Sequence, residues 1–263
     1  MAEARSGPRY GTPDFAYIGR LAATPPADDG PVFMVNLMKY RAVADYPGGE
    51  AGALSGREAD DLYAPTAILH EIGARIVFAG DVERQLLGQP TWDRVAVVRY
   101  PSRRAFLDMQ RRTDFQEKHV HKDAGMEQSI VMACLPFPLP AFPAPTPAGP
   151  ATGDAPFVMV HVLRFAEGGE AAMARYEAVA GALGFPLGVR PEAAFRVEGT
   201  VVGDGRAWDQ VRFNRFPSHA AFTQLTTHPD HLAAQAVRAG ALASTFAVMV
   251  APRLDLLAEA VKP

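Results

Sequence analysis

The chain has 263 residues, 48% hydrophobic and 21% charged, with a formal net charge of −3 and a mean hydropathy near zero. That length suits one large domain or two small ones, and the near-neutral charge argues against nucleic acid as a partner, because phosphate binding needs a clustered basic surface. No apolar run reaches the ~18–20 residues that span a bilayer and no apolar signal core opens the sequence, so no membrane is expected; with the single cysteine, Cys134, a reducing cytoplasm is expected.

Residues 1–30 mix Pro, Gly and Asp without periodicity and read as an irregular arm. Val32–Tyr40 (VFMVNLMKY) is an apolar first strand, and residues 58–73 read as a helix. ARIVFAG (74–80) gives a second strand and the segment after Trp92-Asp93 a third. Pro101-Ser102 ends that strand and supplies a Ser N-cap for a helix bearing Phe106 and Met109. His119 and His121 fall in the next helical stretch, where a spacing of two points them to different faces and makes a poor metal pair. SIVMACLP (129–136) closes the first half, with Cys134 as a small core residue. Eight of the 23 prolines then fall within residues 136–156, a density that no helix or central strand tolerates. Residues 137–155 read as a Pro/Ala-rich linker.

The second half repeats the first. Trp92–Phe106 (WDRVAVVRYPSRRAF) lies over Trp208–Phe222 (WDQVRFNRFPSHAAF) at an offset of 116, and SIVMACLP lies over TFAVMVAP (245–252) at the same offset. VFMVNLMKY lies over FVMVHVLRF (157–165) at an offset of 125. The organisation is therefore an arm (1–30), repeat 1 (31–136), the linker, repeat 2 (156–252) and a C-terminal tail (253–263). Each repeat reads β-α-β-β-α-β, the ferredoxin-like order.

The strings MVNLMKYR, WDRVAVVRYPSRRAFLDM and QEKHVHKDAGMEQS resemble the DUF1330 group of the dimeric α/β-barrel superfamily, well over residues 31–136 and more weakly over 156–252. The resemblance implies an α+β fold in which two antiparallel sheets face each other as a barrel, here built within one chain. The superfamily includes cofactor-independent monooxygenases, isomerases, cyclases and haem enzymes, so it leaves the reaction open.

Period-two parity sorts each strand into two faces. Phe33, Val35 and Leu37, with Val158, Val160 and Val162, are aliphatic or aromatic in both copies and are assigned to the helix-covered face. The other parity, Met34, Asn36 and Met38 with Met159, His161 and Leu163, is assigned to the barrel. Extended to strands two and three, the same sorting puts Val77, Ala79, Ala96 and Val98 on an apolar barrel wall, opposite His161, Arg196, Glu198, Arg212 and Asn214. The expected site is a barrel pocket in which His161 and Glu198 move protons. Arg196, Arg212, Asn214, Asn36, Met34 and Val98 would bind a small apolar or aromatic anion. The alternative for Arg196, Glu198 and Arg212 is a cross-strand ion pair on a wet or edge surface.

Trp92-Asp93 and Trp208-Asp209, kept in both copies, read as fold elements that cover a barrel end and cap a turn; Arg99 and Arg215 read as anchors of the helix face. His228-Pro229-Asp230 reads as a helix start, with His228 and His231 solvated. No metal or nucleotide motif is present, and no cofactor or metal is expected. The leading expectation is a cofactor-independent enzyme of lyase, isomerase or cyclase type, working as a monomer or homodimer on a small molecule. Two alternatives stay open: a cofactor-free monooxygenase of a phenolic substrate, and a ligand-binding or stress-associated barrel without turnover.

Overall fold

The computed structural model describes residues 7–49, 54–139 and 154–262, so most of the expected linker lies outside the described residues. The arm is more regular than its composition predicts. A short strand β1 (Thr12–Pro13) pairs with Val202 and Gly203, and a helix α1 (Phe15–Ala23) starts on the side chain of Asp14, which accepts from Tyr17 N. Tyr17 and Leu21 lie four apart and are buried, which is what docks the helix.

Repeat 1 runs β2 (Val32–Tyr40), α2 (Gly56–Tyr63), α3 (Thr66–Glu71), β3 (Arg75–Leu87), β4 (Arg94–Tyr100), α4 (Arg103–Gln110), α5 (Thr113–Gly125) and β5 (Met126–Pro136). Repeat 2 runs β6 (Phe157–Phe165), α6 (Gly169–Gly184), β7 (Arg190–Gly203), β8 (Gln210–Phe216), α7 (His219–Thr226), α8 (Pro229–Ala241) and β9 (Leu242–Asp255), followed by α9 (Leu257–Ala260). The single helix expected over 58–73 is broken at Ala64-Pro65, where proline cannot continue the hydrogen-bond ladder. Ser102 and Ser218 cap α4 and α7 as expected, each accepting from the third residue on at 3.0 Å.

The strand order β7-β5-β2-β4-β3-β9-β6-β8, closed by β8 on β7, is an antiparallel eight-stranded barrel. Within each repeat the first strand lies between the third and fourth, and the second sits at an edge. The fold is therefore the tandem ferredoxin-like barrel anticipated above, with β3 paired to β9 and β5 to β7 across the repeats.

The faces are opposite to those assigned by parity. Phe33, Val35, Leu37, Val158, Val160 and Val162 point into the barrel, with Val95, Val97, Val211 and Phe213. Met34 belongs to the layer under the repeat 1 helices, and Met159 to the layer under the repeat 2 helices. Alternation sorts residues into two sets but carries no sign. The uniformly aliphatic set faces the volume that both copies must fill together. Strand two also departs from the expected match of ARIVFAG to FRVEGTV (195–201). Arg75 and Arg190 occupy matching places opposite Arg99 and Arg215, so β7 starts five residues before FRVEGTV, and Arg196 and Glu198 match Asp81 and Glu83.

Both barrel ends are sealed. Trp92 and Trp208 pack on Phe246 with ring centroids 5.4 and 5.1 Å away. Asp93 and Asp209 each accept from a backbone N–H at the end of the first strand, Tyr40 and Phe165, at 2.7 Å. At the other end Leu257 and Ala260 of α9 join the interior core, and Leu256 N donates to Val77 O at 2.8 Å. Arg215 does not anchor the helix face as expected; it shares the inward parity and pairs with Glu192 and Asp255. Because Phe246 carries both indoles, Phe246→Ala is expected to cost about 3–5 kcal/mol, read as a lower denaturant midpoint with reddened tryptophan emission.

Candidate functional site

Among the described residues the barrel interior is packed with side chains, which contradicts the anticipated pocket between the sheets. The open volume lies on the outer face of repeat 2, between its sheet and its helices, as a cavity of about 550 Å³. Ala174, Ala178 and Gly181, small residues at helical spacing on α6, line it, while Met173 and Gly184 are buried positions of that helix. Met159, Phe185, Phe222 and Leu225 make the rest largely apolar.

The polar residues converge on this cavity from three directions. His161 comes from β6 and Arg212 and Asn214 from β8, where register pairs His161 with Arg212 and Met159 with Asn214. Tyr176 and Glu177 come from α6, and His231, Gln235 and Arg238 from α8. Arg212 forms an ion pair with Glu177 and donates from Nε to Gln210 Oε1 at 2.9 Å. The Tyr176 hydroxyl and His231 Nε2 are hydrogen-bonded at 3.1 Å.

Two lining nitrogens lack partners among the described residues. His161 Nδ1 and Arg238 Nη2 are shut off from solvent with no hydrogen bond, a condition that costs about 1–3 kcal/mol per group unless a ligand or water relieves it. Among the lining side chains two guanidiniums face one carboxylate, Glu177. Burial, then the charges of Arg238 and Arg212, push the His161 imidazole down to about 3, so it is neutral at pH 7. Burial likewise pulls Arg212 down to about 10 and lowers Arg238. An anion seated here would compete with Glu177, and with Glu170, whose charge also favours the Arg212 cation.

The structure brings together His161, Arg212 and Asn214 and separates them from the other expected residues. Arg196 is exposed on β7. Glu198 accepts from Arg103 Nε and Tyr17 Oη, both at 3.0 Å, and so clamps α1 to the barrel; that hydrogen bond from Arg103 holds its carboxyl below the usual range. Neither a proton-transfer partner for His161 nor a cross-strand pair with Arg212 results. Met34 and Val98 pack under the repeat 1 helices, and Asn36 donates from Nδ2 to Met34 O at 2.9 Å. His231, expected in solvent, is 3% exposed, while His228 does cap α8.

Arg238, Gln235 and Glu177 were not anticipated. A usable signal existed for Arg238. The 116-residue offset puts Lys122 at its position in repeat 1, and a cation kept in both copies on the buried side of a helix is informative; Lys122 is 8% and Arg238 6% exposed.

No family model matches the chain, and no curated protein matches it. Among solved structures, a protein of unknown function from Rhodopseudomonas palustris is 28% identical, spanning 47% of this chain and 94% of its own length, with a TM-score of 0.41. An anthrone oxidase-like protein is 14% identical over 86% of this chain and 94% of its own, with a TM-score of 0.48. A chlorite dismutase variant from Candidatus Nitrospira defluvii is 11% identical over 89% and 94%, with a TM-score of 0.47.

The depressed His161 has a testable consequence. Its folded pKa, about 3, lies below its ordinary 6.5, so the unfolded chain binds the proton first. The stabilisation is complete above pH 6.5 and is lost as pH falls towards 3. His161→Asn, which installs the residue that repeat 1 carries at this place, is expected to flatten the decline of Tm across that window.

Proposed function

We propose that this protein is an enzyme of acid–base type that takes a small aromatic or apolar anion into the repeat 2 cavity. The observation that carries this reading is the pair of buried unpartnered nitrogens, on His161 and Arg238, beside Arg212 in an otherwise apolar cavity. The size suits the proposal, since cavities of about 300–1,000 Å³ enclose small organic ligands.

In this reading the anionic group sits between Arg212 and Arg238. Arg212 presents a planar fork suited to a carboxylate, at a site where burial has stripped water from it. The apolar part of the ligand lies against Met159, Phe222, Leu225 and the small residues of α6. Asn214, beside Met159 on the cavity floor, orients a carbonyl or developing oxyanion.

His161 is the proton acceptor. In the empty cavity the two guanidiniums oppose its protonation, but a bound anion cancels their field and raises the proton affinity of the imidazole. The base is thus weak in the free protein and strengthened in the complex, so proton abstraction depends on ligand binding. Abstraction from a carbon next to the activated group, and return at another position, gives isomerase-type chemistry; if a leaving group on the neighbouring carbon departs with its electron pair instead, a double bond forms and the step is of lyase type. Arg196, Glu198, Asn36, Met34 and Val98 take no part.

Arg212→Met keeps much of the volume and removes the charge. It is expected to weaken binding of an aromatic carboxylate about 10–100-fold, the value of a charge-assisted hydrogen bond, in a calorimetric titration against benzoate, phenylacetate and octanoate. His161→Asn is expected to keep binding within a few-fold and to abolish exchange of ligand carbon-bound protons with deuterated solvent. Absence of binding to all three acids by the unaltered protein overturns the proposal. Binding without exchange reduces the protein to a carrier.

A further inference from the structure

The two repeats differ in what fills one place between helices and sheet. In repeat 1 that place holds Tyr10, just ahead of β1. Its ring is 5% exposed, packs with Met38 and Met126, and lies beside Ala96. The hydroxyl is hydrogen-bonded to His119 Nε2 at 2.9 Å. The Lys122 ammonium lies over the Tyr10 ring at 5.3 Å and over the Tyr63 ring at 5.2 Å.

The segment is pinned on both sides of this ring. Arg9 Nε donates to Asp123 at 2.6 Å and Arg9 Nη1 to Asp45 at 2.5 Å. Ser129 N donates to Tyr10 O at 2.8 Å. The phenol is therefore delivered by a short clamp and held by a cation above its face and a hydrogen-bonding group at its oxygen, interactions that a free phenol would also make.

The repeat offset carries this set onto the open cavity. At the offset of 116, Gln235 stands at the place of His119, Arg238 at that of Lys122 and Arg212 at that of Ala96; Tyr176 matches Tyr63 at the offset of 113 that aligns the first helices of the two repeats. All four line the cavity, with the Arg238 guanidinium 5.9 Å from the Tyr176 ring centroid and its Nη2 unpartnered. The cation, the flanking tyrosine and the hydrogen-bonding group are all kept, but among the described residues no phenol takes the place of Tyr10.

We propose that Tyr10 is a built-in ligand: each repeat carries a site for a hydroxylated aromatic ring between its helices and sheet, filled in repeat 1 by the chain's own arm and open in repeat 2 to a free molecule. This rests on the cavity being the binding site for a small anion and adds to it a ring hydroxyl, received by Gln235, whose amide both donates and accepts. The ring lies under Arg238 against Tyr176, and the anionic group remains with Arg212.

Calorimetric titration of the full-length protein with benzoate and 4-hydroxybenzoate tests the repeat 2 site. The hydroxylated acid is expected to bind about 5–10-fold more tightly, the worth of one net hydrogen bond, and Gln235→Leu to remove that preference. Thermal unfolding of Tyr10→Ala tests the repeat 1 site. The variant is expected to lose about 5–10 °C in Tm, and millimolar p-cresol to raise its Tm by more than it raises that of the unaltered protein, with toluene restoring less. Tyr10→Phe, whose ring still fills the place, is expected to show no such extra rescue. Equal binding of the two acids, or equal rescue by toluene and p-cresol, overturns the inference alone. Failure of both acids to bind overturns the cavity's reading and the repeat 2 site with it. Should Tyr10→Ala not fold, the two titrations decide.

Discussion

Closure of the sheet is the constraint on which everything else in this molecule depends. Each repeat by itself would leave two open strand edges, and pairing β3 with β9 and β5 with β7 satisfies them in one step. A closed eight-stranded barrel has an interior only wide enough for side chains to fill. Phe33, Phe78, Phe195, Phe213 and Phe246 fill it, with the strand valines and two tryptophans, and α9 seals an end. A charged group in the middle of that volume would lack water, and the inward Arg215 is accommodated by pairing with Glu192 and Asp255. The cavity chemistry lies on the outer face of repeat 2, and it follows from what each set of helices does with its side of the sheet.

The outer layers are where the copies have separated. Repeat 1 covers its sheet with a broken helix whose Ile68 and Leu69 are buried, assisted by Tyr17 and Leu21 from the arm. Repeat 2 uses one unbroken helix that buries Met173 and lines the cavity with Ala174, Ala178 and Gly181. The shared frame stays rigid because its anchors are duplicated. Asp93 and Asp209 hold the first strand of each repeat, while Asp29 and Asp154 each accept from backbone N–H groups opening α4 and α7. Gly199 shows how closely the arm is fitted, since a Cβ there would lie within 2.3 Å of the Tyr17 ring.

Much of this was legible in the sequence, and the illegible part has a definite physical origin. Element order, duplication, the Ser caps and the structural place of Trp-Asp follow from local pattern and from two copies confirming one another. Which face of a strand looks inward is a different kind of information. Val35 and Asn36 alternate equally well whichever way the sheet is turned, and helices or a second sheet can each cover an apolar face. The bulge in β3 between Ile76 and Phe78, matched in β7 between Pro191 and Ala193, further breaks a parity count carried along the second strand. Yet His161, Arg212 and Asn214 share one parity on two paired strands, so they stay together whatever the sign. That is why these three meet at one cavity, while Arg196 and Glu198, on a misaligned strand, do not.

The charge around the cavity has a sharper origin than the presence of arginines. In repeat 1, Arg94 is neutralised by Asp60 at 3.1 Å and Asp81 at 3.2 Å. At the matching places repeat 2 has Gln210, Met173 and Arg196, so both carboxylates are gone, one replaced by an apolar group and one by a cation. Arg212 has meanwhile appeared where repeat 1 carries Ala96, and Arg238 is retained opposite Lys122. Among the described residues Glu177 is the lining carboxylate that opposes the two guanidiniums, with Glu170 acting on Arg212 from nearby. Buried cations without sufficient counter-charge lower stability, and a duplicated copy already built with a neutral network had a cheaper arrangement at hand. In the proposed reading an incoming anion would supply the missing charge in repeat 2, and the electrostatic imbalance and the cavity beside it would then serve the same ligand.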